Sequence, residues 1–208
     1  MKTTEGINSC LMLAVNLNLP VDLGSIFDSE DVTDLELDSH VTILYAKNKT
    51  IDHLDILKDI ATILEPERLQ FLVDYTKEYN IFDMCELGLF ENDEDYLVLK
   101  LKDSWYKTYC TMLNKALMTR YDLTSDFSSY NPHITLATLV KGTGKKYLED
   151  EKVKLVLGDG LISFEDLMIS YGGENDGPDR KQYFLTHNSC ISRYFRLDNL
   201  RKENKELE

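Results

Sequence analysis

Two short β-rich runs, one in each half of the chain, share one residue pattern: His40-Val-Thr42-Ile-Leu-Tyr45 and His133-Ile-Thr135-Leu-Ala-Thr138. Side chains two positions apart project from the same face of a strand. Each His and its Thr therefore point the same way, while Val41 and Ile134 pack behind them. The repeat predicts two equivalent strands that present two imidazoles and two hydroxyls to one cleft, and the same alternation places Tyr45 on the core side.

The rest of the pattern is rich in strands, with a helix in each half. We predict helices over Asp52 to Leu64 and from an N-cap at Ser104 to about Arg120. Further strands are predicted over Cys10 to Leu19, Glu86 to Phe90, Tyr96 to Leu101, His133 to Val140, Val153 to Leu157, Ile162 to Tyr171 and Gln182 to Thr186. This order predicts an α+β protein with antiparallel sheets.

The length and composition are those of a soluble protein. The chain has 208 residues, of which 43% are hydrophobic and 29% charged. Its longest apolar run, from Cys10 to Val15, is far below the length that spans a bilayer, which predicts no membrane association. The four cysteines have no C-x-x-C spacing, which indicates a reducing compartment and favours a cytoplasmic location.

The charge is strongly negative and unevenly distributed. The whole net charge of -14 falls within the first 104 residues, and the stretch from Asp22 to Asp38 contains seven acidic residues and no Lys or Arg. We expect this stretch to be a solvated loop. Because long nucleic acids are bound mainly by neutralising their phosphates, so acidic a protein is not expected to bind them.

The paired His and Thr side chains suit the cleavage of a phosphodiester. A neutral imidazole can take a proton from an attacking hydroxyl, and a protonated imidazole can give one to the leaving oxygen. The Thr hydroxyls can donate to the non-bridging phosphate oxygens. This chemistry needs no metal or other cofactor.

The paired H-x-T motifs resemble those of the 2H phosphoesterase superfamily, the 2′-5′ RNA ligase-like phosphodiesterases. The run Tyr130-Asn-Pro-His-Ile-Thr-Leu-Ala137 is similar to the second motif of viral members, including the anti-CBASS nucleases that linearise cyclic oligonucleotide signals. The resemblance covers roughly residues 8 to 186. It implies two pseudo-symmetric lobes around a central cleft, forming one domain over residues 1–198 followed by a charged tail over 199–208. It also implies that His40 and His133 are the acid–base pair and that Thr42 and Thr135 bind the phosphate.

Several substrates fit this resemblance. The acidic charge favours a small cyclic di- or trinucleotide, in which a ribose 2′-OH attacks its own 3′-5′ phosphodiester, over polymeric RNA. A 2′,3′-cyclic phosphate or 2′-5′ RNA phosphodiesterase is the enzymatic alternative, and a sponge that captures cyclic nucleotides without cleaving them is the non-enzymatic one. The sequence leaves the oligomeric state and the division of acid and base roles open.

Three further residues are candidates for binding the substrate. Tyr130 precedes the second motif, Tyr171 ends a strand beside a Gly-rich turn that runs to Gly177, and Lys141 opens a Gly- and Lys-rich loop that runs to Lys146. Core packing is the alternative for the tyrosines, and a solvated turn is the alternative for Lys141. His53 and His187 have no partner at metal-ligand spacing, and no metal site is predicted.

Overall fold

The computed structural model describes residues 7–64, 77–124, 129–172 and 181–185, and these form an α+β fold. The strands are β1 Asn8–Asn18, β2 Val32–Leu35, β3 His40–Ala46, β4 Tyr79–Asn80, β5 Cys85–Glu91, β6 Asp95–Leu101, β7 His133–Leu139, β8 Leu161–Gly172 and β9 Lys181–Phe184. The α-helices are α1 His53–Ile63, α2 Ile81–Met84, α3 Trp105–Arg120, α4 Gly144–Glu149 and α5 Glu151–Gly158, and a 3-10 turn covers Leu23–Ile26. The predicted fold class is confirmed.

The strands form one antiparallel sheet with an approximate two-fold relation between its halves. Its order is β4-β8-β1-β3-β7-β6-β5, with β2 paired to β7 and β9 paired to β8. β3 and β7, which carry the two motifs, are therefore the central neighbours. β1 and β8 continue the sheet on one side, as β6 and β5 do on the other, which gives the two lobes. Helices α1 and α3 belong to the β3 side, and α4 and α5 to the β7 side.

Most of the predicted elements form as expected because their local signals agree with their burial. Helix α1 places Ile56, Leu57 and Ile60 in the core, and the Asp52 side chain caps its first turn. Ser104 caps α3 as predicted. The hairpin of β5 and β6 is continuous from Cys85 opposite Leu101 to Glu91 opposite Asp95.

Two predictions in the second lobe are wrong. The run from Val153 to Leu157 is helix α5 and not a strand, because its buried residues Val153, Val156 and Leu157 follow helical spacing and the Asp150 carboxylate accepts the N–H groups of Lys152 and Val153. The loop predicted from Lys141 to Lys146 turns into helix α4 at Gly144.

The acidic stretch is also more ordered than a solvated loop. It contains β2, which pairs with the outer end of β7, and Asp31 is only 8% exposed. The Tyr147 hydroxyl donates to Asp31 at 2.6 Å, and Lys146 forms an ion pair with the same carboxylate. The Lys146 ammonium, followed by the Tyr147 hydroxyl, holds the pKa of Asp31 below its usual range. These contacts fasten β2 against the second lobe.

Some predictions lie outside the described residues: His187, most of the Gly-rich turn after Gly172, and the tail over 199–208. Within the described ranges, no helix has both the length and the apolar character that crossing a bilayer requires.

Candidate active site

The two motif strands meet at a single residue pair, Val41 opposite Ile134. Both of these side chains are fully buried on the core side of the sheet. His40 and Thr42 flank Val41, and His133 and Thr135 flank Ile134, so all four project from the other face. The structure thus brings the four motif residues together on one surface between the lobes.

The antiparallel register also fixes how the four residues face one another. With Val41 opposite Ile134, His40 lies across from Thr135 and Thr42 lies across from His133. The two histidines are diagonal neighbours, which in a regular antiparallel pair are about 7–8 Å apart. A phosphate can therefore be placed between the imidazoles, within reach of a hydroxyl from each strand.

Both imidazoles are held in the same way. His40 Nδ1 is 2.8 Å from the Asp38 carbonyl oxygen, and His133 Nδ1 is 2.8 Å from the Asn131 carbonyl oxygen. A carbonyl can only accept, so each Nδ1 carries the hydrogen. In the neutral ring the lone pair is then on Nε2, the nitrogen left to face a substrate. Each histidine is thereby fixed in the tautomer that a general base requires.

A β-bulge follows the Thr of each motif. The register of β1 and β3 shifts so that Ile43 is left without a partner, and the register of β6 and β7 shifts at the equivalent residue, Leu136. Each bulge frees a carbonyl from the ladder. The Asn114 side chain donates to the Ile43 carbonyl at 2.7 Å, and the Glu36 backbone N–H donates to the Leu136 carbonyl at 3.2 Å.

The bulge in β3 makes the prediction for Tyr45 wrong. The extra residue reverses the alternation after Thr42, so that Ile43 and Leu44 are both buried and Tyr45 is 49% exposed. Tyr45 is thus on the same side of the sheet as the motif side chains. In β7, Thr138 occupies the equivalent position after the bulge.

His133 is partly enclosed by residues of β5 and β6. The Phe90 ring meets its imidazole edge to face, with 4.8 Å between the ring centres. Lys100 is directly opposite His133 in the β6–β7 ladder. Burial lowers the pKa of His133 despite the opposing hydrogen bond to Asn131, and the positive charges of His40 and Lys100 lower it further.

His40 has different surroundings. The residue opposite it in β1 is Ala14. The alternating acids Asp34, Glu36 and Asp38 lead from β2 to this imidazole. Burial raises the pKa of the Glu36 carboxyl, and a charged His40 opposes that rise. Acidic side chains thus lie beside His40, whereas a lysine stands beside His133.

The first additional candidate, Tyr130, is attached to the first motif strand. Its hydroxyl donates to the Thr42 carbonyl at 2.9 Å, and its ring packs against the main core. Burial raises the pKa of this hydroxyl. These contacts favour the core-packing alternative, in which Tyr130 braces β3 against the segment that precedes β7.

The other two candidates lie further from the motif residues. Tyr171 is opposite Ser9 at the Ala46 end of the sheet, where its hydroxyl donates to the Ile51 carbonyl at 2.5 Å and burial raises its pKa to about 12. Lys141 follows the far end of β7, and its ammonium is 3.3 Å from the buried Asp95 carboxylate. Both side chains have partners within the fold, and their contact with a substrate remains a prediction.

Lys100, Phe90, Glu36 and Asn114 were not found by sequence reasoning. The predicted hairpin already contained Phe90 and Lys100, but only the ladder register shows that Lys100 faces His133. In the described ranges no three His, Cys, Asp or Glu side chains form a group that could hold a metal. His53 stacks on Tyr183, with 4.2 Å between ring centres.

Three solved structures resemble most of this chain, each at 10% identity. LigT of Escherichia coli in complex with 3′-AMP covers 85% of this chain and 99% of its own, with a TM-score of 0.45. Usb1 of Kluyveromyces marxianus covers 84% and 96% with a TM-score of 0.42, and a protein described as a phosphoesterase covers 84% and 99% with a TM-score of 0.43. No family model and no curated protein matches the sequence. A functional assignment must therefore come from the residues of this chain.

Proposed function

We propose that this protein is a metal-independent phosphodiesterase of the 2H type that cleaves small cyclic oligonucleotides. One observation carries the proposal: the register at Val41 and Ile134 places two His and two Thr side chains on one surface, with both imidazoles held through Nδ1. General acid, general base and phosphate ligands are thus available together without a bound ion.

The reaction uses each of the four side chains once. Nε2 of one histidine takes the proton of a ribose 2′-OH as its oxygen attacks the adjacent phosphorus. The Thr42 and Thr135 hydroxyls donate to the non-bridging oxygens. The P–O bond to the 5′-oxygen breaks, and the second imidazolium gives that oxygen a proton. The products are a 2′,3′-cyclic phosphate and a free 5′-hydroxyl, and the proton has passed from one histidine to the other.

The proposal divides the two roles according to the surroundings of the histidines. His133 is partly buried and faces Lys100, which favours its neutral form and makes it the base. His40, which lies beside Glu36 and faces Ala14 and no lysine across the ladder, then takes the role of the acid. In this assignment the base is on the His133 side of the site and the acid is on the His40 side.

The charge of the chain supports a small substrate. A polyanion approaching the cleft would meet Asp34, Glu36 and Asp38 beside His40, in a protein with a net charge of -14. A cyclic di- or trinucleotide brings only two or three charges and fits within a local site. The similarity of the second motif to viral members extends the proposal to the removal of cyclic oligonucleotide signals in a host cytoplasm.

The test is liquid chromatography with tandem mass spectrometry after incubation with 3′,3′-cyclic GMP–AMP in EDTA, with His133→Ala as the control. Chromatographic separation and fragmentation are needed because the linear product with a 2′,3′-cyclic phosphate end has the same mass as the cyclic substrate. We expect linear dinucleotide from the native protein alone. Intact cyclic dinucleotide would contradict the proposed substrate, and cleavage of 2′,3′-cyclic phosphates or 2′-5′ RNA would then identify the enzymatic alternative. Tight binding without turnover of any of these would identify the sponge.

A further inference from the structure

Lys100 breaks the two-fold relation of the site. It is opposite His133 in the β6–β7 ladder, at the position that Ala14 holds opposite His40 in the β1–β3 ladder. Directly opposite residues of an antiparallel pair project from the same face. The ammonium of Lys100 is therefore on the surface that carries the motif residues, where the other lobe has only a methyl group.

The neighbours of Lys100 hold its side chain towards the site. Its ammonium is 4.9 Å from the centre of the Phe90 ring, the same ring that contacts His133. Gly88 leaves the space in which the lysine stem lies, since a Cβ at Gly88 would be 2.6 Å from Lys100 Cε. The residue directly across from Lys100 in β5 is Glu86, and the stem leans away from it along the strand.

The charge of Lys100 lacks a carboxylate partner within the described part of the chain. Other lysines of the same lobe are paired: Lys141 with Asp95, Lys145 with Glu91 and Lys146 with Asp28. None of the ion pairs formed among the described residues includes Lys100. The protein is strongly acidic, yet the Lys100 ammonium lies in the candidate site and is not paired with a carboxylate of the described residues. An ammonium in this position favours the binding of an anionic ligand.

We infer that Lys100 binds a phosphate of the substrate beside His133 and is a specificity-determining residue of the site. This inference rests on the proposed function. The lysine N–H groups donate to a non-bridging oxygen on the His133 side, adding a charged ligand to the two threonine hydroxyls. The reacting phosphate is thereby drawn towards the base.

Lys100 also acts on His133 through its charge. Burial of the ring lowers the pKa of the His133 imidazole, and the positive charges of His40 in β3 and Lys100 in β6 lower it as well. Removal of the Lys100 charge should raise the pKa of His133, so that the base is neutral only at higher pH. A residue that merely supported the fold would not move this titration.

The experiment compares Lys100→Met and Lys100→Arg with Lys115→Met, an exposed lysine on α3, using 3′,3′-cyclic GMP–AMP as substrate. We expect Lys100→Met to raise KM about tenfold, the effect of losing one charged hydrogen bond. The low-pH limb of kcat/KM should move upward on the order of half a pH unit. Lys100→Arg should restore most of both effects. Gly88→Ala keeps the charge but displaces the stem, and should raise KM while leaving folding intact.

A titration with inorganic phosphate separates this inference from the proposed function. NMR signals of the His40 and His133 imidazoles, assigned with the alanine variants, report phosphate binding and the pKa of His133 without turnover. If the native protein cleaves none of the substrates but phosphate binds more weakly to Lys100→Met, the proposed function fails and the inference stands. If the native protein is active and Lys100→Met matches Lys115→Met in KM, pH profile and phosphate affinity, the inference is overturned.

Discussion

The two halves of the site have the same backbone. In each, a histidine Nδ1 bonds to the carbonyl two residues before it, a buried residue follows, then a threonine, and then a β-bulge whose carbonyl is bonded from outside the ladder. The equivalence includes the neighbouring strands, because β1 supports β3 as β6 supports β7. The same local backbone arrangement, present twice, therefore forms the scaffold of the site.

The side chains around this scaffold are not equivalent. His133 faces Lys100 and contacts Phe90, whereas His40 faces Ala14 and lies beside Glu36. A fully symmetric site would give both imidazoles the same preference for a proton. Acid–base catalysis needs one of them protonated and the other neutral at the same time. If the proposed function holds, the backbone positions the catalytic groups and the neighbouring charges decide their roles.

The largest effect is expected from removing either imidazole. His40→Ala and His133→Ala should each lower kcat on cyclic GMP–AMP by about 10²- to 10⁴-fold, because each removes one proton-transfer step. Circular dichroism should show native folding for both, since neither side chain is in the core.

A substrate with a good leaving group distinguishes the two variants. A nucleoside 3′-(4-nitrophenyl phosphate) releases nitrophenolate, which needs no proton. His40→Ala should recover most of its activity on this substrate, and His133→Ala should not. Recovery by His133→Ala alone would reverse the assigned roles, and equal behaviour would mean that the asymmetry of charge does not decide them.

Thr42 and Thr135 test whether the two halves of the site contribute equally to binding the phosphate. Thr42→Val and Thr135→Val keep the shape of the side chain and remove one hydrogen bond to a charged phosphate, so each should lower kcat/KM by about 10- to 100-fold. Thr62→Val on the exposed face of α1 is the control. If one threonine proves dispensable, the phosphate does not lie symmetrically between the strands.

The sequence predicted the fold class and the shared face of the four motif side chains, but it missed some of the elements around them. The H-x-T alternation was sufficient to place four side chains on one face, because an i, i+2 relation survives in any regular strand. Tyr45 was assigned to the wrong face because the bulge at Ile43 depends on pairing with β1 and has no local signal. β2 was missed for a similar reason, since its acidic residues become a strand only through pairing with β7.

The bulges themselves offer a third test, because their carbonyls have different donors. Asn114 satisfies the Ile43 carbonyl with a side chain, whereas Glu36 satisfies the Leu136 carbonyl with its backbone. Asn114→Ala should lower the free energy of unfolding by about 1–3 kcal/mol, the cost of an unsatisfied carbonyl. Urea denaturation measures this, with Lys115→Ala on the same helix as the control.

Activity provides the second readout for Asn114. Ile43 follows Thr42 directly, so a shifted bulge should also displace that hydroxyl and lower kcat/KM several-fold in the Asn114→Ala protein. Equal stability and activity in the Asn114 and Lys115 variants would show that the β3 bulge does not depend on this hydrogen bond.

The smallest effect on activity is expected from Lys141, which differs from Lys100 in its partner. Lys141 is paired with Asp95, whose side chain is fully buried and also accepts the N–H groups of Gly142 and Gly144. Burial acts to raise the pKa of Asp95, but the Gly144 N–H, the Lys141 ammonium and the Gly142 N–H outweigh it and hold that pKa below its usual range.

A carboxyl with a lowered pKa stabilises the fold at neutral pH, and this contribution disappears as the pH falls through its folded-state pKa. Lys141→Met should therefore lower the urea midpoint at pH 7 and much less in acid, with kcat/KM changed less than about twofold, as for a lysine outside the site. Lys100→Met should show the reverse, with a raised KM and an unchanged urea midpoint. A raised KM in Lys141→Met would instead place the Gly- and Lys-rich loop in contact with the substrate, as its sequence predicts.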